Sequence, residues 1–159
     1  RHKVSKLISE PLFLDKKIMN KEELHDLLIN TLISVGLSAD DKNKYIHEFS
    51  GGQRQRIAIA RALIVKPEII IFDEAVSALD VSVRAQILDL LANLCKTLNL
   101  TYIFISHDLS VVRTITDKVM VMKNGEIVES GKTENILTNP THNYTKKLIE
   151  AAPSLPEFC

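Results

Sequence analysis

Excess charge of either sign is missing from this chain of 159 residues: Lys plus Arg and Asp plus Glu stand at 20 each. No net basic field therefore draws it toward nucleic acid or anionic lipid, and DNA binding is disfavoured as its main task. Cysteine is scarce, with Cys95 and Cys159 alone, no Cys-x-x-Cys pair and no histidine at ligand spacing. That argues against structural zinc and against a disulfide framework, and fits cytosolic exposure. No stretch of about 18 apolar residues occurs, so the chain is not expected to cross a membrane, although it can still dock onto one. Internal repeats and low-complexity tracts are absent as well.

What is present suffices for one ordinary domain, or a large piece of one, with a real apolar core. The first residue is Arg1 rather than methionine, and residues 1–12 read as a helix already under way and ending at Pro11, which suggests that something upstream is missing. Residues 21–35 carry Leu24, Leu27, Leu28, Thr31 and Leu32 at helical spacing, with Asn20 as cap and Gly36 as stop. Residues 38–48 are polar and irregular. Ser50 then caps a second helix to about Val65, with Ile57, Ala60 and Ile64 facing a core and Pro67 ending it.

Residues 69–72 form an all-apolar run without polar alternation, as expected of a strand covered on both faces in a parallel sheet. A long helix follows over residues 81–98, with Ile87, Leu90, Leu91 and Leu94 on its inner side. The β-branched and aromatic run 101–105 predicts a second buried strand, which makes a βαβ unit. After a short helix over 109–115, residues 118–123 and 126–130 flank Asn124-Gly125, a strong hairpin signal. Helical segments near 134–137 and 144–151 precede a loose tail at 153–159.

Chemistry concentrates at three places. Gly51-Gly52-Gln53 opens a helix: without Cβ atoms the backbone lets a ligand approach, and the first N–H groups of a helix are unpaired at its positive end. This is an anion site in principle, to which Ser50 can add its hydroxyl, Gln53 its amide, and Arg54 and Arg56 their potential. A plain N-cap followed by flexible glycines explains the same residues. A Gly-Gly-Gln tripeptide also tips peptide-release factors, though there on an exposed loop. Asp73 and Glu74 end the first strand, at the sheet edge where open α/β folds bind ligands. An Asp there can hold Mg²⁺, and the next carboxylate can orient or deprotonate a water for phosphoryl transfer. A solvated acidic turn is the plainer alternative. His107 follows the second strand and emerges at the same edge, able to hydrogen-bond a terminal phosphate. Asp80, in the turn Ser77-Ala78-Leu79-Asp80, caps the long helix, and that role alone accounts for it.

A phosphate-cradling loop is wanting. The nearest candidate, Gly125 to Gly131-Lys132-Thr133, has five residues between its glycines, one too many for a P-loop, and they include hairpin strand residues Ile127 and Val128.

In this order the motifs resemble the ATP-binding subunit of ABC transporters. Phe49-Ser50-Gly51-Gly52-Gln53 is similar to that family's signature motif, residues 69–74 to its Walker B strand with the catalytic glutamate, residues 77–80 to its D-loop and His107 to its switch histidine. A finer resemblance, to the branch serving oligopeptide, dipeptide and nickel uptake, rests on residues 47–56, on Ser77 to Ser82 and on Asn139-Pro140-Thr141-His142-Asn143-Tyr144-Thr145. Ile46 and Asn143 stand where that branch has proline, and Ala75-Val76 where the wider family has Pro-Thr; these departures touch turn rigidity, not reacting groups.

The resemblance implies the C-terminal part of a P-loop, RecA-like α/β ATPase: residues 1–65 as helical subdomain and signature helix, 66–152 as ATPase core, 153–159 as tail. It implies ATP and Mg²⁺, with Glu74 and His107 catalytic, Asp73 at the metal, and Ser50, Gly51, Gly52, Gln53 and Asp80 at nucleotide. The Walker A loop, the aromatic adenine contact and the glutamine loop of the family lie upstream of what is present, so the chain alone is expected to be inactive. Implied partners are a second ATP-binding subunit, as homodimer or heterodimer, and transmembrane permease subunits, at the cytoplasmic face of a membrane and without nucleic acid. Solute uptake, with peptides as solute, is the implied function. A soluble ATPase of translation or repair stays open, as does a non-catalytic remnant; the translation members carry a different pair before Leu79-Asp80, and the repair members insert a coiled coil that is not seen.

Overall fold

The computed structural model describes residues 2–14 and 19–152; Arg1 and the expected tail at 153–159, with Cys159, lie outside them. The described residues divide into two compact units, one within 2–71 and 78–103, the other within 72–77 and 104–152.

The first unit is mostly helical. Helix α1 (Val4–Leu14) buries Val4, Ile8 and Leu12, a one-sided stripe at four-residue spacing. Its start is tied by the Val4 N–H to the Lys44 carbonyl and by a bridge between Lys3 and Tyr45. Contrary to the expected stop, Pro11 lies inside α1. The missing proline N–H forfeits a single bond, and Leu12 just beyond it is 4% exposed, so burial carries the helix on for one more turn. Helix α2 (Lys21–Ser34) begins in a reciprocal capping box between Asn20 and Glu23. It ends with Gly36 at φ 73°, the Gly36 N–H on the Ile33 carbonyl and the Leu37 N–H on the Leu32 carbonyl. The irregular stretch holds two 3₁₀ turns, Ala39–Asn43 and Ile46–Glu48.

Helix α3 (Gly51–Leu63) buries Ile57, Ile59, Ala60 and Leu63 and packs on α1 and α2. Helix α4 (Val81–Leu98) buries Ile87, Leu88, Leu91 and Leu94; Leu88, not the expected Leu90, completes its inner face.

Strands β1 (Ile69–Asp73) and β2 (Thr101–Ile105) form a two-stranded sheet. The Thr101 N–H meets the Glu68 carbonyl and the Glu74 N–H meets the Ile105 carbonyl, so low-numbered ends pair with each other and the strands run parallel. Neither strand is covered on both faces as expected. Ile69, Ile71, Ile103 and Ile105 are 56%, 64%, 43% and 52% exposed, whereas Ile70 and Phe72 are buried. Successive side chains point to opposite faces, and among the described residues only one face of this pair is packed.

In the second unit, Phe72 and Phe104 stack at 4.7 Å between ring centroids. Helix α5 (Leu109–Ile115) follows β2, and β3 (Lys118–Lys123) pairs antiparallel with β4 (Glu126–Lys132). Their turn has Asn124 at φ 52° and Gly125 at φ 84°, the two positive values that a type I′ hairpin requires. Pairing jumps from Val121–Glu129 to Met122–Ile127, so Val128 is bulged. Helix α6 (Thr133–Thr138) packs on α5 and β4, with the Thr116 and Thr133 hydroxyls 2.9 Å apart. Helix α7 (Asn143–Ala151) is anchored through its approach: Glu129 accepts the Thr141 N–H at 2.7 Å, the Thr141 hydroxyl at 2.8 Å and the His142 N–H at 3.2 Å.

Candidate functional site

The first site is the N-terminus of α3. Ser50 is extended at the N-cap; its Oγ accepts the Gln53 N–H at 3.4 Å, and its own N–H is donated to Gln53 Oε1 at 3.0 Å. The box therefore uses both side chains as acceptors and leaves their donors, the Ser50 O–H and the Gln53 amide N–H, unused by it. It also consumes the N–H groups of Ser50 and Gln53 but not those of Gly51 and Gly52. Four donors remain at the positive end of a helix of 13 residues, an arrangement suited to an anion.

The two glycines are not equivalent. A Cβ at Gly51 would meet nothing within 4 Å, so the space in front of it is open to a ligand. A Cβ at Gly52 would lie 2.5 Å from Val83 Cγ1 on the first turn of α4. Arg56 does not turn to this end. Its Nη1 donates to the Val35 carbonyl at 2.6 Å and joins α3 to the end of α2. Nothing in the sequence between positions 21 apart signals that bond.

The second site lies in the other unit, at the carboxyl ends of the two parallel strands. Glu74 Oε1 is 2.7 Å from His107 Nδ1, and the backbones beneath them are joined by the Glu74 N–H to Ile105 carbonyl bond at 3.0 Å. Against an ionised carboxylate, Nδ1 is the donor and Nε2 is the outward nitrogen. The side chains are 40% exposed at Glu74 and 77% at His107, so the pair adds little to stability and its interest is positional. Glu74 has φ 50°, the left-handed region, where a long non-glycine side chain is uncommon. Ser77 holds that bend, with its N–H at 3.2 Å and its hydroxyl at 2.9 Å from the Glu74 carbonyl. Strain of this kind, kept in place by fixed bonds, clusters at functional sites. Its place at the end of an apolar strand and the motif order pointed to Glu74; its backbone conformation left no trace in the sequence.

Asp73, the last residue of β1, is exposed. Among the described residues no group of three or more His, Cys, Asp or Glu is placed to hold a metal ion. Magnesium usually takes only one or two carboxylates beside phosphate oxygens and water, so a lone exposed Asp73 fits that demand. Asp80 is engaged as the cap of α4: its Oδ1 accepts the Val83 N–H at 3.0 Å and the Ser82 hydroxyl at 2.9 Å. Those bonds, the Val83 N–H foremost, hold its carboxyl below the usual range. Gly125 and Gly131 sit in the hairpin turn and in β4, where extended backbone makes no cradle.

Comparison with known proteins places these features in context. The family description "ABC transporter" matches residues 1–77, and "Oligopeptide/dipeptide transporter, C-terminal region" matches residues 128–157. The dipeptide transport ATP-binding protein DppF of Haemophilus influenzae is 51% identical over 155 residues, 98% of this chain and 47% of that protein. The oligopeptide transport ATP-binding protein AmiF of Streptococcus pneumoniae is 51% identical over 153 residues, 96% of this chain and 50% of that protein. Among solved structures, cbiO1 of Clostridium perfringens, part of an ABC transporter complex, superposes with a TM-score of 0.76 at 29% identity, over 86% of this chain and 53% of that one. A dimeric bacterial ABC transporter cassette gives 0.69 at 30% identity, over 83% and 57%. The chain spans about half the length of the curated relatives it matches. No described helix is long and apolar enough to cross a membrane.

Proposed function

Since the chain belongs to the ATP-binding proteins of ABC transporters, in the oligopeptide and dipeptide branch, we propose that it contributes ATP-hydrolysing machinery to a peptide importer. In this reading residues 1–65 are the helical subdomain and signature helix, of which residues 21–65 form much of the part that docks on a membrane permease, residues 66–152 belong to the ATPase core, and the assembly sits peripherally on the cytoplasmic face. A second ATP-binding subunit, identical or homologous, completes it.

The observation that carries the reading is the 2.7 Å contact between Glu74 and His107 at adjacent strand ends. Glu74 takes a proton from water as the water oxygen bonds to the γ-phosphorus and the bond to the bridging oxygen breaks, releasing ADP and phosphate. His107 fixes the carboxylate through Nδ1 and presents Nε2 to the departing phosphate. Asp73 would hold Mg²⁺, whose charge offsets that of the phosphate oxygens. The donors at Ser50, Gly51, Gly52 and Gln53 take the terminal phosphate of a nucleotide bound by the partner subunit, and Asp80 fixes the turn beside them. Because no phosphate-cradling loop occurs in this sequence, the chain alone does not turn over ATP.

The test is peptide uptake into vesicles carrying a permease of this branch and ATP-binding subunits in which this chain is joined behind the preceding half of an oligopeptide-transport relative. ATP-dependent uptake abolished by Glu74→Gln supports the reading; uptake that ignores the substitution contradicts it.

A further inference from the structure

We propose that Val83 is a positioning residue for the first turn of α3, fixing where the Gly51 and Gly52 amides point. The inference rests on the phosphate reading of that turn and goes beyond it, since Val83 belongs to a different helix and touches no phosphate.

Carbon atoms in ordinary contact stand about 3.5–4.0 Å apart. A methyl at position 52 would come within 2.5 Å of Val83 Cγ1, while its distances to Val83 Cβ and Cγ2 would be 3.8 and 3.9 Å. The backbone of α3 thus rests directly on one methyl of Val83. That methyl is hard to displace. Valine in a helix holds one strongly preferred rotamer, and the Val83 N–H is pinned to Asp80 Oδ1 at 3.0 Å. Asp80 in turn is braced by the Ser82 hydroxyl. A short chain of contacts, Asp80 to Val83 to Gly52, connects the capped turn before α4 to the amides at the head of α3.

The two glycines therefore have separate reasons. Gly51 leaves room for a ligand, and Gly52 leaves room for Val83. Substitution tells them apart: Gly51→Ala meets nothing within the chain, whereas Gly52→Ala must push α3 off α4.

The experiment is a double-mutant cycle on the ¹⁵N-labelled chain, with Gly52→Ala, Val83→Ala and the pair. Amide shifts of residues 51–53 are followed while inorganic pyrophosphate is titrated, and thermal midpoints are recorded. Positioning predicts that Gly52→Ala weakens the apparent pyrophosphate affinity by about tenfold and that adding Val83→Ala restores most of it, a coupling typical of side chains in contact. Val83→Ala alone, which removes both γ-methyls without a clash, moves the residue 51–53 amides in the free protein. Additive effects, or amides that ignore Val83→Ala, overturn the proposal. Coupled midpoints and amide shifts without any pyrophosphate response support the positioning and overturn the phosphate reading instead.

Discussion

The Glu74 carboxylate and the His107 imidazole meet at 2.7 Å across the ends of two parallel strands, on backbones already joined by the Glu74 N–H to Ile105 carbonyl bond. Both side chains are substantially exposed. Such a pair is worth about 0–1 kcal/mol. His107→Ala is therefore expected to leave the thermal midpoint nearly unchanged while lowering ATP turnover of the assembled transporter by about 10²-fold. Calorimetry beside a phosphate-release assay checks it, and parallel losses of stability and turnover would assign the pair a structural role.

Glu74 also occupies the left-handed region at φ 50°. A side chain there costs about 1–2 kcal/mol that glycine does not incur. Glu74→Gly is expected to leave folding stability within about 1 kcal/mol of the wild type, because relief of the left-handed strain offsets the lost contact and the freer unfolded chain, while turnover is lost. Urea denaturation of both proteins measures it.

Features confined to a few residues are legible in the sequence. The Asn20 and Ser50 caps, the Gly36 stop and the Asn124-Gly125 hairpin each exchange hydrogen bonds within one turn of chain, so local residue types determine them. Motif order likewise picks out Glu74 and His107, which the fold brings together from positions 33 apart. What is not legible depends on partners distant in sequence. Pro11 stays helical because Leu12 is buried; Arg56 reaches Val35, Gly52 meets Val83 and Glu129 reaches Thr141, and no local rule links these pairs. Uniformly apolar strands suggest two covered faces, yet Ile69, Ile71, Ile103 and Ile105 are exposed, because an apolar run records which faces can be buried and not what lies against them.

At Ser50 the cap and the anion site can be separated. Ser50→Ala removes the acceptor for the Gln53 N–H and is expected to cost about 1 kcal/mol. Ser50→Asp keeps a good cap, so stability should hold within about 0.5 kcal/mol, but it sets a negative charge where the phosphate would sit. Pyrophosphate-induced amide shifts at Gly51 and Gly52 should vanish in Ser50→Asp; retained shifts would move the anion elsewhere.

Glu129 gives the fold a pH dependence of definite sign. The Thr145 hydroxyl, close by although short of conventional hydrogen-bond geometry, together with the Thr141 N–H and hydroxyl and the His142 N–H, lowers its carboxyl from 4.5 to about 2. The unfolded state binds more protons in that window, so this contribution is whole above pH 4.5 and is lost as pH falls toward 2. Thermal midpoints of the wild type should drop more steeply between those values than those of Glu129→Gln. Identical slopes would release Glu129 from its anchoring of the approach to α7.

The most direct measurement of the central claim is steady-state ATP hydrolysis by three proteins: this chain alone, this chain joined behind the preceding half of an oligopeptide-transport relative, and the same fusion with Glu74→Gln. The expected result is no turnover from the chain, turnover from the fusion, and a fall of at least about 10²-fold on substitution. Hydrolysis by the chain alone, or a fusion whose rate is unmoved by Glu74→Gln, would contradict it.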